Sequence, residues 1–307
     1  MSKKQFDPMT IVMPVVALFL GAFVAILLIM VTGVSPFKSL KVLVSSGFGF
    51  SGKVFPIFMT LGASTPLILT GLAAMLGFKV GVFCIAQEGQ YVFGAIVAAW
   101  LGASLDLPPV IAIPFIIISS MIAGGIYGMI PAVLKVKLGV NEIISSIMLN
   151  NISSLVLEYM VAFPLRADAG QKAQSEVIAK AYWLPQFIYG SRWGVSFVIA
   201  IVLIVFFYLL IYKTRWGYEM RMVGENRKFS DYGGIKSSSV IIRTLVIGGA
   251  IAGLAGCMEV LGNYHRIMTG FSSGLGFDGL SVAMLGMSNP IGVVIVSFLL
   301  AGIRQGA

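Results

Sequence analysis

Three carboxylates stand inside long apolar runs of this chain: Glu88, Glu158 and Glu259. A charged group is expensive in hydrocarbon, so each needs a partner, a wet cavity or a task. Glu88 clusters with Gln87 and Gln90 about Gly89. Glycine permits a break in the helix there, and irregular backbone at membrane depth is tolerated where it lines a cavity. The cluster reads as a functional junction or as a polar interface between helices. Ser146, Asn150, Ser154 and Glu158 recur every four residues, with Asn151 adjoining, which lays a polar stripe down one helical face. That stripe either forms interhelical hydrogen bonds or lines a pathway. The three carboxylates could serve an intramembrane enzyme as acid and base. None belongs to a recognisable catalytic constellation, so no catalytic residue is assigned.

Other chemistry is excluded by context. Residues 47–53 fit the opening of a phosphate-binding loop, but Val54 stands where the magnesium-binding Ser or Thr must be. Gly274, Gly276 and Gly279 match a dinucleotide fingerprint, yet no strand precedes them and no strand–helix alternation surrounds them. Neither Cys84 nor Cys257 has metal-ligand spacing to a partner or to His265, the single histidine. The expectation is no metal, no disulfide and no hydrolytic triad.

The elements that must position these residues are membrane helices. The chain has 307 residues, 58% of them hydrophobic and 11% charged, with a net charge of +9. Uninterrupted apolar runs of about 20 residues span a bilayer, and basic residues gather on one side of it, so the positive balance is not a nucleic-acid signal. Eight spans are expected, over residues 11–34, 56–78, 82–101, 110–134, 143–163, 193–212, 240–262 and 280–303. The first is too long for a signal peptide and lacks a small-residue cleavage site, so it is read as retained. Residues 35–53 read as a polar interval. The 164–192 segment is read as an external loop. Together, residues 1–307 form one transmembrane domain, an all-α polytopic bundle. Ser120, Gly124 and Gly128 on one span, and Gly249 and Gly253 on another, have the spacing that lets helix backbones approach closely.

Orientation follows from the charged segment 213–239 and its continuation to Arg243. It carries Lys213, Arg215, Arg221, Arg227, Lys228, Lys236 and Arg243 against Glu219, Glu225 and Asp231. Such a loop lies on the cytoplasmic side, which puts the amino terminus inside too, together with Lys79, Lys135, Lys137 and Arg304. Asn226 is placed to cap a short helix over 227–232 that Gly233 and Gly234 stop. Exposed Phe229 and Tyr232 suit that helix to docking a soluble partner, and the alternative is a plain solvated connector.

These residues carry a resemblance. Gly81-Val-Phe-Cys-Ile-Ala-Gln-Glu-Gly-Gln90 resembles the Gly-Leu-Phe-Asn-Ile-Gly-x-Glu-Gly-Gln motif of permease subunits of ABC importers for nucleosides and simple sugars. Asn141-Glu-Ile-Ile-Ser-Ser-Ile-Met-Leu-Asn-Asn151 is similar to that family's Asn-Glu-Val-Ile-Ser-Thr-x-Met-Leu-Asn-Tyr. Thr214-Arg-Trp-Gly217 and Arg221-Met-Val-Gly-Glu-Asn226 resemble its cytoplasmic coupling segment. Gly276-Phe-Asp-Gly-Leu-Ser-Val-Ala-Met-Leu-Gly286 resembles its Gly-x-Asp-x-Ile-Ala-Val-Ala-Leu-Leu-Gly element. Cys84 and Ala86 depart from the family's Asn and Gly, and Phe229-Ser230 from its Ala-Ala.

The resemblance implies a type II importer-like permease, usually of about ten spans, in a bacterial cytoplasmic membrane. It therefore raises the expectation that this sequence is truncated or lacks the last helices. It implies two ABC ATPase domains, on one or more ATPase subunits that hydrolyse ATP, with no cofactor bound by this chain, a second permease subunit, and an external substrate-binding lipoprotein. Gly217, Gly224, Glu225, Asn226, Phe229, Tyr232 and Gly234 would couple to the ATPase. Gln87, Glu88, Gln90, Asn150, Ser154 and Glu158 would line the translocation path. The competing reading is a gradient-driven carrier built on Glu88 and Glu158.

Overall fold

The computed structural model describes residues 30, 35–49, 54–167, 173–188 and 190–306. The first expected span, apart from Met30, lies outside them. Among these described residues eleven α-helices are given in full: α1 (Pro36–Phe48), α2 (Phe55–Lys79), α3 (Gln87–Ser104), α4 (Pro109–Leu138), α5 (Glu142–Ala162), α6 (Val195–Lys213), α7 (Arg215–Glu225), α8 (Arg227–Tyr232), α9 (Ser237–Glu259), α10 (Leu275–Leu285) and α11 (Pro290–Gly306). Among the described residues, five helical segments are long and apolar enough to cross a membrane: α2, α4, α5, α6, and α9 with its π-helical extension to Tyr264. α10 and α11 are shorter and apolar.

α2 and α9 form the middle of the bundle. In each, 72% of the most apolar stretch is buried, against about a third in α4, α5 and α6, whose outer faces carry Ile118, Ile122, Val202 and Phe206 to the surface. Helices pack this closely because glycines meet backbone, as the spacing of Ser120, Gly124 and Gly128 foretold. A methyl group on Gly124 would lie 2.4 Å from the Gly249 carbonyl oxygen, and one on Gly253 2.5 Å from that of Ser120. Dispersion contacts of this kind substitute for the hydrophobic effect where the solvent is itself apolar.

Three expected elements are corrected. The interval 35–53 contains a helix, α1, started by Pro36 and closed by left-handed Gly49, whose amide reaches Ser45 O. Its lysines disguised it. The expected third span does not begin at Val82. The chain turns at Gly81 (φ 71°), Val82 doubles back beside Gly77, and helix starts only at Gln87. The expected eighth span, 280–303, is broken by a turn at 286–289, where Met287 and Ser288 take left-handed backbone before Pro290.

This last break reverses the chain. Val293 and Val282 both pack on Gly71, whereas Ala301 shares a cavity with Ala63, so α11 runs antiparallel to α2. Arg304 consequently ends beside Arg192, at the end of the bundle opposite Lys79 and the charged segment. It does not belong with the inner basic residues, which narrows their excess without reversing it.

A junction of two half-helices

α3 and α10 both begin inside the bundle, side by side. A methyl group on Gly276 would lie 2.3 Å from the Glu88 amide nitrogen. From that point α3 runs towards the Arg192 end and α10 towards the Lys79 end. A helix start exposes amide donors that its own backbone cannot satisfy. Neither half-helix has a side-chain cap of its own: Ala86 and Gly274 occupy the cap positions. Both are capped by residues from elsewhere. Asn150 of α5 accepts the Gly89 amide at 3.0 Å and donates to Ile85 O at 2.9 Å, so it clamps both sides of the α3 start. Glu88 of α3 accepts the Gly276 amide at 2.7 Å and the Ser272 hydroxyl at 2.5 Å, and so caps α10. Its carboxylate lies at the positive ends of two helix dipoles, where negative charge is favoured.

Gln87 and Gln90 are buried beside it, each with a side-chain carbonyl that has no partner among the described residues, as has the Tyr91 hydroxyl. Cys84, where the resembling motif has Asn, sits 3.5 Å from Ser146 Oγ, so a weak sulfur contact remains there.

The polar stripe on α5 divides in two. Ser146 and Asn150, with Ser145 and Ser153, are buried against the rest of the chain. Ser154 and Glu158 are exposed and share the outward face with Asn151. Spacing at intervals of four did not reveal the division, because a helix turns every 3.6 residues and the row drifts around it. Glu158 is therefore not brought together with buried Glu88 and Glu259, and the acid–base constellation is not assembled.

The charged segment folds as two helices, α7 and α8, where only the second was expected. Thr214 caps α7 by accepting the Gly217 amide at 3.2 Å, and a methyl on Gly217 would meet Ile211 O at 2.3 Å. Asn226 caps α8 through the Phe229 amide at 3.0 Å, and Gly234 (φ 82°) follows the helix end, as the sequence predicts. Phe229 and Tyr232 are 61% and 93% exposed, and Glu225 is exposed next to them. Behind this surface α8 is tied to α9: the Ser237 amide donates to Asp231 at 3.1 Å, and Arg227 to Ser238 Oγ at 3.1 Å. Hydrogen bonds from the Ser237 hydroxyl and amide hold the Asp231 carboxyl below its ordinary range. Gly224 packs on the turn that leads to the half-helix junction. A methyl there would lie 2.2 Å from Lys79 O and 3.3 Å from the Gly81 nitrogen.

A cavity of about 180 Å³ lies at the other end, lined among others by Arg192, Glu259, Tyr264, Phe271, Ser273 and Arg304. In the sequence Glu259 suggests only an enzymatic acid or base, and a continuous eighth span puts Arg304 at the opposite end. Among the described residues, no group of His, Cys, Asp and Glu side chains could hold a metal ion.

Residues 56–307 match the family described as Branched-chain amino acid transport system / permease component. Over 97% of its length the chain is 34% identical to the guanosine ABC transporter permease protein NupP of Bacillus subtilis (strain 168), covering 85% of that protein. It is 29% identical to the nucleoside ABC transporter permease protein NupB of Lactococcus lactis subsp. cremoris (strain MG1363), over 97% of the chain and 84% of that protein. To the glucose ABC transporter permease protein TsgB13 of Haloferax volcanii it is 30% identical, over 82% of the chain and 69% of that protein. No solved structure is a significant match.

Proposed function

The chain belongs to the branched-chain amino acid transport system permease family, and from its junction and charged segment we propose that it is one of two permease subunits of an ATP-driven nucleoside importer. Membership implies ATPase and binding-protein partners and sets aside the gradient-driven carrier built on Glu88 and Glu158. The names of NupP and NupB support nucleosides as the cargo, ahead of sugars.

The observation that carries the mechanical reading is the seat of Gly224 on the Lys79–Gly81 turn. Phe229 and Tyr232 offer an ATPase an exposed aromatic foothold in a charged surface. α8 is bonded to α9, and α7 abuts the turn from which the chain runs to α3. A rigid-body displacement of the charged segment therefore reaches the two half-helices through packed backbone rather than through a flexible loop. Gly217, Gly224 and Asn226 shape this coupling unit, and Glu225 and Gly234 border its docking face. On α5, Asn151, Ser154 and Glu158 face away from this chain, and polar groups there are tolerated against a second permease or a wet path between the two. Ser154 and Glu158 are thus our path residues. Gln87, Glu88, Gln90 and Asn150 hold the junction in shape. The membrane is a bacterial cytoplasmic membrane, with the charged segment and amino terminus inside.

The test is recovery from the native host. A tagged chain extracted in mild detergent should bring an ATPase and a second permease in stoichiometric amounts. A folded homo-oligomer with no ATPase would overturn the proposal.

A further inference from the structure

The cavity opposite the charged segment combines groups that a plain packing defect does not. Glu259 is 3% exposed, its described hydrogen bond is from Asn263 at 3.0 Å, and no cation among the described residues lies within ion-pair distance. Arg192 lies 5.6 Å over the Tyr264 ring and forms no ion pair among the described residues. Phe271 meets Tyr264 edge-on at 5.4 Å and stacks on Tyr91, whose buried hydroxyl has no partner among the described residues. Arg304 is already held by Asp278 and by Ser273 O at 3.0 Å. The wall between Glu259 and Tyr264 is a single π-helical turn, a distortion that recurs at functional sites.

A carboxylate that accepts, a guanidinium that donates and aromatic walls together recognise a planar heterocycle with adjacent N–H and carbonyl groups. At about 180 Å³ the space is below the roughly 300–1,000 Å³ of sites that enclose a whole drug-sized ligand, and it suits one ring system. We propose that this cavity is an entry-side station for a nucleobase, with guanine or hypoxanthine preferred. The ring N–H of the base, and the exocyclic amine of guanine, donate to Glu259, while the 6-carbonyl accepts from Arg192. Adenine lacks the carbonyl and offers a single donor group on that edge. Ribose stays outside the cavity. This inference rests on the nucleoside reading above.

The experiment uses saturation-transfer NMR on the full chain in nanodiscs with its co-purified subunits, which detects weak ligands without going through the binding protein. Guanosine should receive more saturation at base H8 than at the ribose protons, and should be displaced by inosine roughly tenfold better than by adenosine. Glu259→Gln should abolish that preference. Arg192→Gln, at a half-buried position, should weaken guanosine transfer severalfold without loss of the folded complex. Equal transfer to ribose and base, an unchanged preference in both variants, or displacement by leucine would overturn the inference. Guanosine uptake by a complex showing none of these contacts would remove the cavity and leave the nucleoside reading standing. A complex that neither takes up nor contacts nucleosides would remove both.

Discussion

The Glu88 carboxylate accepts the Gly276 amide at 2.7 Å, across 188 residues of chain. One half-helix thus supplies the cap that the other lacks, and Asn150 does the same for the first. Removing the carboxylate by Glu88→Ala leaves the Gly276 amide and Ser272 hydroxyl without their acceptor. The expected cost is about 1–2 kcal/mol, since hydrogen bonds in membrane proteins are individually modest. Glu88→Gln retains an acceptor and should fall between. Thermal unfolding of the purified complex should rank the three as wild type, Gln, Ala; equal stabilities would show that the cap carries no energy.

The division of the α5 stripe is open to chemical mapping. Cysteine placed at Ser154 or Glu158 should react with a membrane-impermeant thiol reagent, whereas cysteine at Ser146 should not. The native thiols Cys84 and Cys257 are buried, so background labelling stays low. Reaction at 146 with protection at 154 and 158 would invert the assignment of faces.

Gly224→Val tests the coupling seat. The nearest atoms to an added side chain are backbone atoms of Lys79 and Gly81, which cannot rotate away. Overpacking of this kind costs about 1–3 kcal/mol and displaces the two segments. Membrane insertion and subunit recovery should persist while nucleoside uptake is lost. Uptake at the wild-type rate in the inserted variant would remove Gly224 from the coupling unit.

Asp231 gives the docking helix a pH dependence. Its carboxyl titrates lower in the folded protein than in the unfolded chain, because Ser237 bonds its charged form. The contribution is therefore present above the unfolded value near 3.8 and disappears as pH falls through the lower, folded one. Protection of the Ser237 amide, its hydrogen-exchange rate relative to the intrinsic rate at the same pH, should be high at neutral pH and fall in acid, and Asp231→Asn should lower it already at neutral pH. Identical protection in the two proteins would contradict the tie.

The α8 cap at Asn226 and the close-packing faces that carry Gly124 and Gly253 were legible in sequence because each depends on residue types at short, fixed spacings; that these two faces meet was not. The membrane class was legible from apolar run length. The break at 286–289 was not. Met287 and Ser288 adopt left-handed backbone without being glycine, and the run around them is apolar enough to pass as one span. Asn150 was visible as polar, but its role as a cap for Gly89 depends on a contact 61 residues away. The Glu259 cavity stayed hidden because its lining comes from five separate stretches, including Arg304, which a continuous eighth span puts at the wrong end.

In the importer proposed above, ATP hydrolysed on the charged-segment side drives nucleoside uptake through this subunit. Radiolabelled guanosine accumulation tests this in proteoliposomes containing the co-purified complex and binding protein, with ATP sealed on that side and ionophores present. Accumulation that requires ATP and ignores the ionophores is expected. Accumulation that proceeds without ATP and collapses with the ionophores would contradict it.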